Sequence, residues 1–146
     1  MGKVLIVYHS QSGNTKAAAE AVVQGAKNVS GTEVVVKEAL KAAPEDLLSC
    51  DAIIVGTPDY FSYMAGGVKD FFDRTYYPTQ GSVTGKPCGI FVTHGGRGQA
   101  VESVKTICAT FEFKIVGEPV LVEGMPGAEA RSTLANLGKL LAETVK

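Results

Sequence analysis

Two periods of apolar residues alternate along this chain. Val4-Leu5-Ile6-Val7-Tyr8 is an unbroken apolar run rich in β-branched residues, as expected of a strand covered on both faces. Ala18, Val22, Val23 and Ala26 then recur at helical spacing between Thr15 and Lys27. The stretch from Glu33 to Lys37 holds Val34, Val35 and Val36 and predicts a second strand. Pro44-Glu45-Asp46 predicts the first turn of a short helix, with proline at a tolerated position and acids near the positive end of the dipole. Ala52 to Val55 predicts a third strand, Val68, Phe71 and Phe72 a helical face, and Cys88 to Thr93 a fourth strand. Ala100, Val104 and Ile107 mark a further helix, and Val120-Leu121-Val122 a fifth strand. Ala130, Leu134, Leu137, Leu141 and Val145 form the stripe of a long terminal helix.

This alternation predicts an α/β fold, a three-layer α/β/α sandwich around a five-stranded parallel sheet. Right-handed crossovers favour the strand order 2-1-3-4-5. At 146 residues, with no repeat or linker, residues 1–146 are expected to form a single domain. In such sheets ligands bind beyond the carboxyl ends of the strands, at the switch point between strands 1 and 3. The turns after strands 1, 3 and 4 are therefore the candidate site.

Composition narrows the partners. Fourteen basic against fifteen acidic residues leave a net charge of -1, so nothing drives binding to nucleic-acid phosphates or an anionic membrane. The apolar runs fall far short of the ~18 residues of a membrane span and are too short for a signal-peptide core. Three cysteines without C-x-x-C spacing support neither a disulfide framework nor a zinc site, and predict a reduced, cytoplasmic compartment. Glycine is in excess at 17 of 146 residues, against a typical ~7%.

The first turn reads His9-Ser10-Gln11-Ser12-Gly13-Asn14-Thr15. Backbone N–H groups opening a helix lack acceptors and carry partial positive charge, so a phosphate completes them, and hydroxyls add donors. The alternative is an ordinary hydroxyl N-cap. The second turn, Gly56 to Gly67, contains Thr57, Pro58, Asp59, Tyr60, Phe61, Ser62, Tyr63 and Met64. Aromatics on such a loop suit a flat aromatic ligand; otherwise Phe61 and Met64 cover the end of the sheet. The third turn is Thr93-His94-Gly95-Gly96-Arg97-Gly98-Gln99, whose glycines allow close backbone approach to a ligand. His94 there is either a proton donor or a polar cap of the strand. Gly81-Ser82-Val83-Thr84-Gly85-Lys86 is one residue short of a P-loop, has Pro87 in place of the required hydroxyl residue, and leads into a strand. No acidic pair follows strand 1, which excludes a receiver domain, and no Ser–His–Asp or Cys–His arrangement is legible.

The three turns together resemble those of flavodoxin-like FMN proteins. Ser10-Gln11-Ser12-Gly13-Asn14-Thr15 is similar to the family's T/S-x-T/S-G-x-T phosphate loop. Gly56-Thr57-Pro58-Asp59-Tyr60-Phe61-Ser62-Tyr63-Met64-Ala65, followed by Phe71-Phe72-Asp73, resembles the NAD(P)H:quinone oxidoreductases of the Trp-repressor-binding-protein type. The resemblance implies FMN as cofactor, with its phosphate held by Ser10, Gln11, Ser12, Gly13, Asn14 and Thr15. It places the isoalloxazine against Thr57, Pro58, Asp59, Tyr60, Phe61 and Ser62, and its other edge against His94, Gly95, Gly96, Arg97 and Gln99. No general base is needed, since electrons or hydride move through the flavin. The implied function is an electron-transfer protein serving redox partner proteins. The alternative is an enzyme that takes hydride from NAD(P)H for a quinone-like acceptor, and a further one is a flavin-free α/β binding module. The chain lacks both the insertions of the tetrameric quinone reductases and the acidic surplus of carrier flavodoxins, and is expected as a monomer or a dimer.

Overall fold

A computed structural model describes residues 1–146. The strands are β1 (Lys3–Tyr8), β2 (Glu33–Glu38), β3 (Ala52–Tyr60), β4 (Tyr63–Met64), β5 (Pro87–His94), β6 (Lys114–Ile115) and β7 (Val120–Glu123). The helices are α1 (Asn14–Lys27), α2 (Pro44–Ser49), α3 (Gly66–Thr79), α4 (Ala100–Thr110) and α5 (Ala128–Thr144). The long strands lie in the order β2-β1-β3-β5, all parallel, with β6 and β7 both beside β5. The expected order 2-1-3-4-5 thus holds, with two refinements.

The fifth strand is broken. Ile115 pairs with Cys88 and Val120 with Phe91, and between them Gly117 adopts φ +75°. Pro119 adds a residue with no N–H to give to a ladder, so the edge is interrupted there. The other refinement is β4, which folds back antiparallel on β3, pairing Tyr63 with Tyr60.

Alternation along each strand divides the interior into two cores. Leu5, Val7, Ile53, Val55, Ile90 and Val92 face α2, α3 and α4, where they meet Phe71, Phe72 and Val104. Val4, Ile6, Ile54 and Phe91 face α1 and α5, meeting Val22, Leu134 and Leu141. On that side α1 and α5 pack backbone to backbone: a methyl group at Gly25 would collide with the Ala135 carbonyl, and one at Gly138 with that of Val22. Three-layer packing of this kind fixes the carboxyl ends of β1, β3 and β5 side by side.

Candidate functional site

At the end of β1 the chain turns into α1 through Gly13, at φ +99°, a left-handed conformation that costs a side-chain-bearing residue about 1–2 kcal/mol. No side chain caps this helix, so the hydroxyl N-cap alternative does not hold. The Ser10 hydroxyl instead accepts the Gly13 N–H at 3.1 Å and shapes the turn from within. The N–H groups of Gln11, Ser12, Asn14, Thr15 and Lys16 donate to no protein acceptor. Three of these amides open the 14-residue helix at its positive end and two lie in the turn before it. Thr15 is 2% exposed and its hydroxyl lies 2.7 Å from that of Thr93, joining this turn to the end of β5.

The second turn is smaller than the sequence suggests. Gly56 to Tyr60 continue β3, and only Phe61 and Ser62 form the bend, both left-handed at φ 60° and 64°. A two-residue hairpin demands positive φ at both central positions, normally met by asparagine and glycine. Here Asp59 holds it: its Oδ1 accepts the Ser62 N–H at 2.8 Å while its Oδ2 accepts the Ala100 N–H at 2.9 Å. The Ser62 hydroxyl donates to Gln99 Oε1 at 2.7 Å. One carboxylate therefore clasps the hairpin tip to the start of α4.

Thr57 is fully buried, and its hydroxyl accepts the Ala65 N–H at 2.9 Å and donates to the Pro58 carbonyl at 2.8 Å. Phe61 projects entirely into solvent and Tyr63 is half exposed, whereas Met64 is buried and covers the end of the sheet. The two readings of this aromatic turn are thus divided between its residues.

In the third turn the His94 Nδ1 accepts the Gly96 N–H at 3.1 Å, so the ring is a polar cap of the strand end. The His94 carbonyl accepts from Gly124 at 2.9 Å, tying β5 to the turn after β7.

Two adjoining cavities occupy the space between these turns. One of about 180 Å³ is lined by Gln11, Ser12, Asn14, Thr15, Pro58, Asp59, Tyr60, Thr93, His94, Gly95 and Gly124. The other, about 300 Å³, is lined by Asp59, Phe61, Ser62, His94, Gly95, Gly96, Arg97 and Gln99. Asp59, His94 and Gly95 belong to both, so the two form one elongated groove with a polar amide-rich end and an end beside Tyr60 and Phe61.

Of the residues selected from the sequence, Ser10, Gly13 and Thr57 stay out of the groove and shape its walls; the other fourteen line it. Thr93 and Gly124 line it too without having been selected. Thr93 ends β5, and Gly124 follows β7 in a Gly-Met-Pro turn at φ +67°, so the strand-end rule would have flagged both. Lys86, the lysine of the discarded P-loop likeness, lies elsewhere and donates to the Leu47 carbonyl at 2.7 Å, at the end of α2.

A phosphate suits the first end of this groove: it supplies acceptors for the unpaired amides, and no carboxylate stands among residues 10–16 to repel it. A flat ring suits the other end, where Tyr60 and the exposed Phe61 provide aromatic surface and Gly95 and Gly96 leave open space above the backbone.

Comparison with known proteins shows the family. Residues 28–126 match the family model of the NADPH-dependent FMN reductases. A flavodoxin of Aquifex aeolicus (strain VF5) is 34% identical over 99% of this chain and 88% of its own. An NAD(P)H dehydrogenase (quinone) of Acidithiobacillus ferrooxidans is 33% identical over 82% of this chain and 72% of its own. Among solved structures, a flavodoxin from the domain Archaea superposes with a TM-score of 0.90 at 26% identity, covering 98% of both chains. The chain belongs to the flavodoxin-like FMN proteins.

Proposed function

We propose that this FMN protein carries electrons between redox partner proteins, and that the groove between the three turns is its flavin site. The observation carrying the reading is the meeting, in one groove, of the unpaired amides of Gln11, Ser12, Asn14 and Thr15 with an aromatic hairpin. The amides of Gln11, Ser12, Asn14, Thr15 and Lys16 would hold the phosphate, with Ser12 and Asn14 adding side-chain contacts. Pro58, Asp59, Thr93, His94 and Gly95 would follow the chain between phosphate and ring. Tyr60, Phe61 and Ser62 would flank one edge of the ring, and Gly96, Arg97 and Gln99 the other. Bound FMN supplies one- and two-electron transfer.

The protein's part is position and electrostatics. Thr15 and Thr93 fix the phosphate turn against β5, and the Asp59 clasp sets the spacing of the two ring-flanking turns. The groove's one carboxylate, Asp59, accepts two backbone N–H groups, and its one histidine accepts another at Nδ1, which suits chemistry that needs no general base. The three buried free cysteines suit a reducing compartment, which supports a cytoplasmic location.

A second reading, an NAD(P)H-dependent quinone reductase, is favoured by the family-model match and by the Acidithiobacillus relative. Anaerobic addition of NADPH or NADH to the purified yellow protein separates the two. A carrier keeps its visible flavin absorbance for many minutes and loses it only with a protein or chemical electron donor. Rapid bleaching by a pyridine nucleotide would replace the carrier reading with the enzyme reading. A colourless protein that takes up no FMN would remove both.

A further inference from the structure

We propose that the free edge of β2 is a self-association surface, through which two copies pair antiparallel and join their sheets. The inference rests on backbone direction and charge order and is independent of the flavin site. β2 pairs only with β1. The Glu33 N–H donates to the Gly2 carbonyl at 2.9 Å, so alternation turns Glu33, Val35 and Lys37 toward β1. Val34 and Val36 then direct their N–H and C=O groups away from the sheet. Val36 is 42% exposed, and beside it a cleft of about 270 Å³ under α1 leaves room for Val34 of a second copy.

The order of residues selects one register. Outward groups meet across a two-fold axis when Val34 faces Val34, Val34 faces Val36, or Val36 faces Val36. The first sets Glu33 against Val35, and the third sets Lys37 against Val35 and Glu38 against Val34. The second and third both use the outward groups of the two valines, and only the second places Glu33 opposite Lys37, twice by symmetry. Those are non-hydrogen-bonded positions, where cross-strand side chains approach most closely. Like charges commonly blunt sheet edges, whereas here the edge charges are complementary to their own antiparallel copy. The Glu33 and Lys37 side chains are 53% and 39% exposed despite their contacts with Lys3 and Asp46, so both remain reachable. The strand spans only six residues, so the interface falls below the ~800 Å² per partner of a stable complex. Association is accordingly weak, with a dissociation constant of roughly 10–1000 µM.

Sedimentation velocity from 5 µM to 1 mM, on the FMN-loaded protein, should show a monomer–dimer equilibrium. Amide hydrogen exchange should slow at Val34 and Val36 as concentration rises, while Val35, bonded to β1, stays protected throughout. Glu33→Lys and Lys37→Glu should each weaken dimerisation at least ~10-fold, and the double reversal should return it to within ~3-fold of the original. Thermal unfolding at 0.5 µM, far below that dissociation constant, separates folding defects from pairing defects. A protein monomeric at 1 mM overturns the proposal, as does a dimer in which the Val34 and Val36 amides exchange no more slowly. A double variant as weak as the singles overturns the register.

Discussion

Asp59 is the residue on which the ring-flanking end of the groove depends, and Asp59→Asn is the change that tests it. The carboxylate accepts two backbone N–H groups, from Ser62 at 2.8 Å and Ala100 at 2.9 Å. Hydrogen bonds to a charged group contribute about 1.5–3 kcal/mol when buried, and the half-exposed setting here reduces that to roughly 1–1.5 kcal/mol each. The pair thus supplies about 2–3 kcal/mol. Against it stands the cost of two side-chain-bearing residues in left-handed conformations, Phe61 at φ 60° and Ser62 at φ 64°. At about 1–2 kcal/mol each, that cost is similar in size. Asparagine keeps one acceptor oxygen but turns an NH₂ toward the second N–H, losing one bond and opposing two donors. The hairpin tip should then leave its strained form, and FMN would have to restore it on binding. Affinity for FMN and for riboflavin should fall together by ~10- to 100-fold, since ~1.4 kcal/mol corresponds to tenfold. Adding Ser62→Gly, which removes one left-handed penalty, should recover ~3- to 10-fold. Fluorescence titration with both flavins measures each value. Unchanged affinity in Asp59→Asn, or a loss that Ser62→Gly does not relieve, would refute the clasp.

Gly13→Ala meets no steric obstacle but must adopt φ +99°, so FMN binding should weaken ~10-fold while riboflavin, lacking the phosphate, is little affected. No lysine or arginine lies within Ser10–Thr15, so FMN affinity should change less than ~3-fold between 50 and 500 mM salt; a steeper titration slope would place ion pairs at the phosphate. Arg97 is exposed beside the ring end, and Arg97→Glu should lower the potential for the second electron by ~tens of millivolts at low salt, as read by spectroelectrochemistry. The Cys88 thiol is pushed well up by its hydrogen bond with Cys108 and by burial, and burial also raises Cys50. Both stay neutral in the folded state above the unfolded value near 9, so their contribution to stability is complete below that pH and is lost above it. The unfolding free energy from urea titration should fall from about pH 9 upward, by as much as ~1.4 kcal/mol per thiol and pH unit, and Cys88→Ala should flatten the fall.

The long strands and helices were legible because each carries enough apolar residues to show its period. Val4 to Tyr8 is continuous because β1 has helices on both faces, and the terminal stripe is spaced for α5 on one face. The two-residue strands β4 and β6 carry no period, and the break before β7 depends on the backbone at Gly117 and Pro119. In the site, the turns were found by their place at strand ends, but the division of labour inside them was not. Thr15 meets a partner 78 residues away and Asp59 one 41 residues away, and neither spacing follows any local repeat. Thr57 and Asp59 look like ligand residues in sequence because they are polar and sit at the switch point. Folding commits both side chains to backbone amides of neighbouring elements, which keeps Thr57 out of the groove while Asp59 still lines it.

The two ends of the groove are therefore built by different physics, and this bears on why the relatives include both a flavodoxin and a quinone dehydrogenase. The phosphate end is local: one left-handed glycine, one internal serine contact and the first amides of a helix, all within seven residues. The backbone of this turn is set locally, and a single long-range contact, between the Thr15 and Thr93 hydroxyls, anchors it to β5. The ring end is non-local, held by a carboxylate that reaches from β3 to α4 and by a serine–glutamine contact spanning 37 residues. At its tip Phe61 is wholly in solvent, held in a backbone conformation that needs outside support, and Arg97 lines the same cavity. Substitution there changes what can approach the ring without touching what anchors the phosphate. With FMN in this groove as proposed, the choice between a protein partner and a small-molecule donor would be made at the hairpin tip and the start of α4.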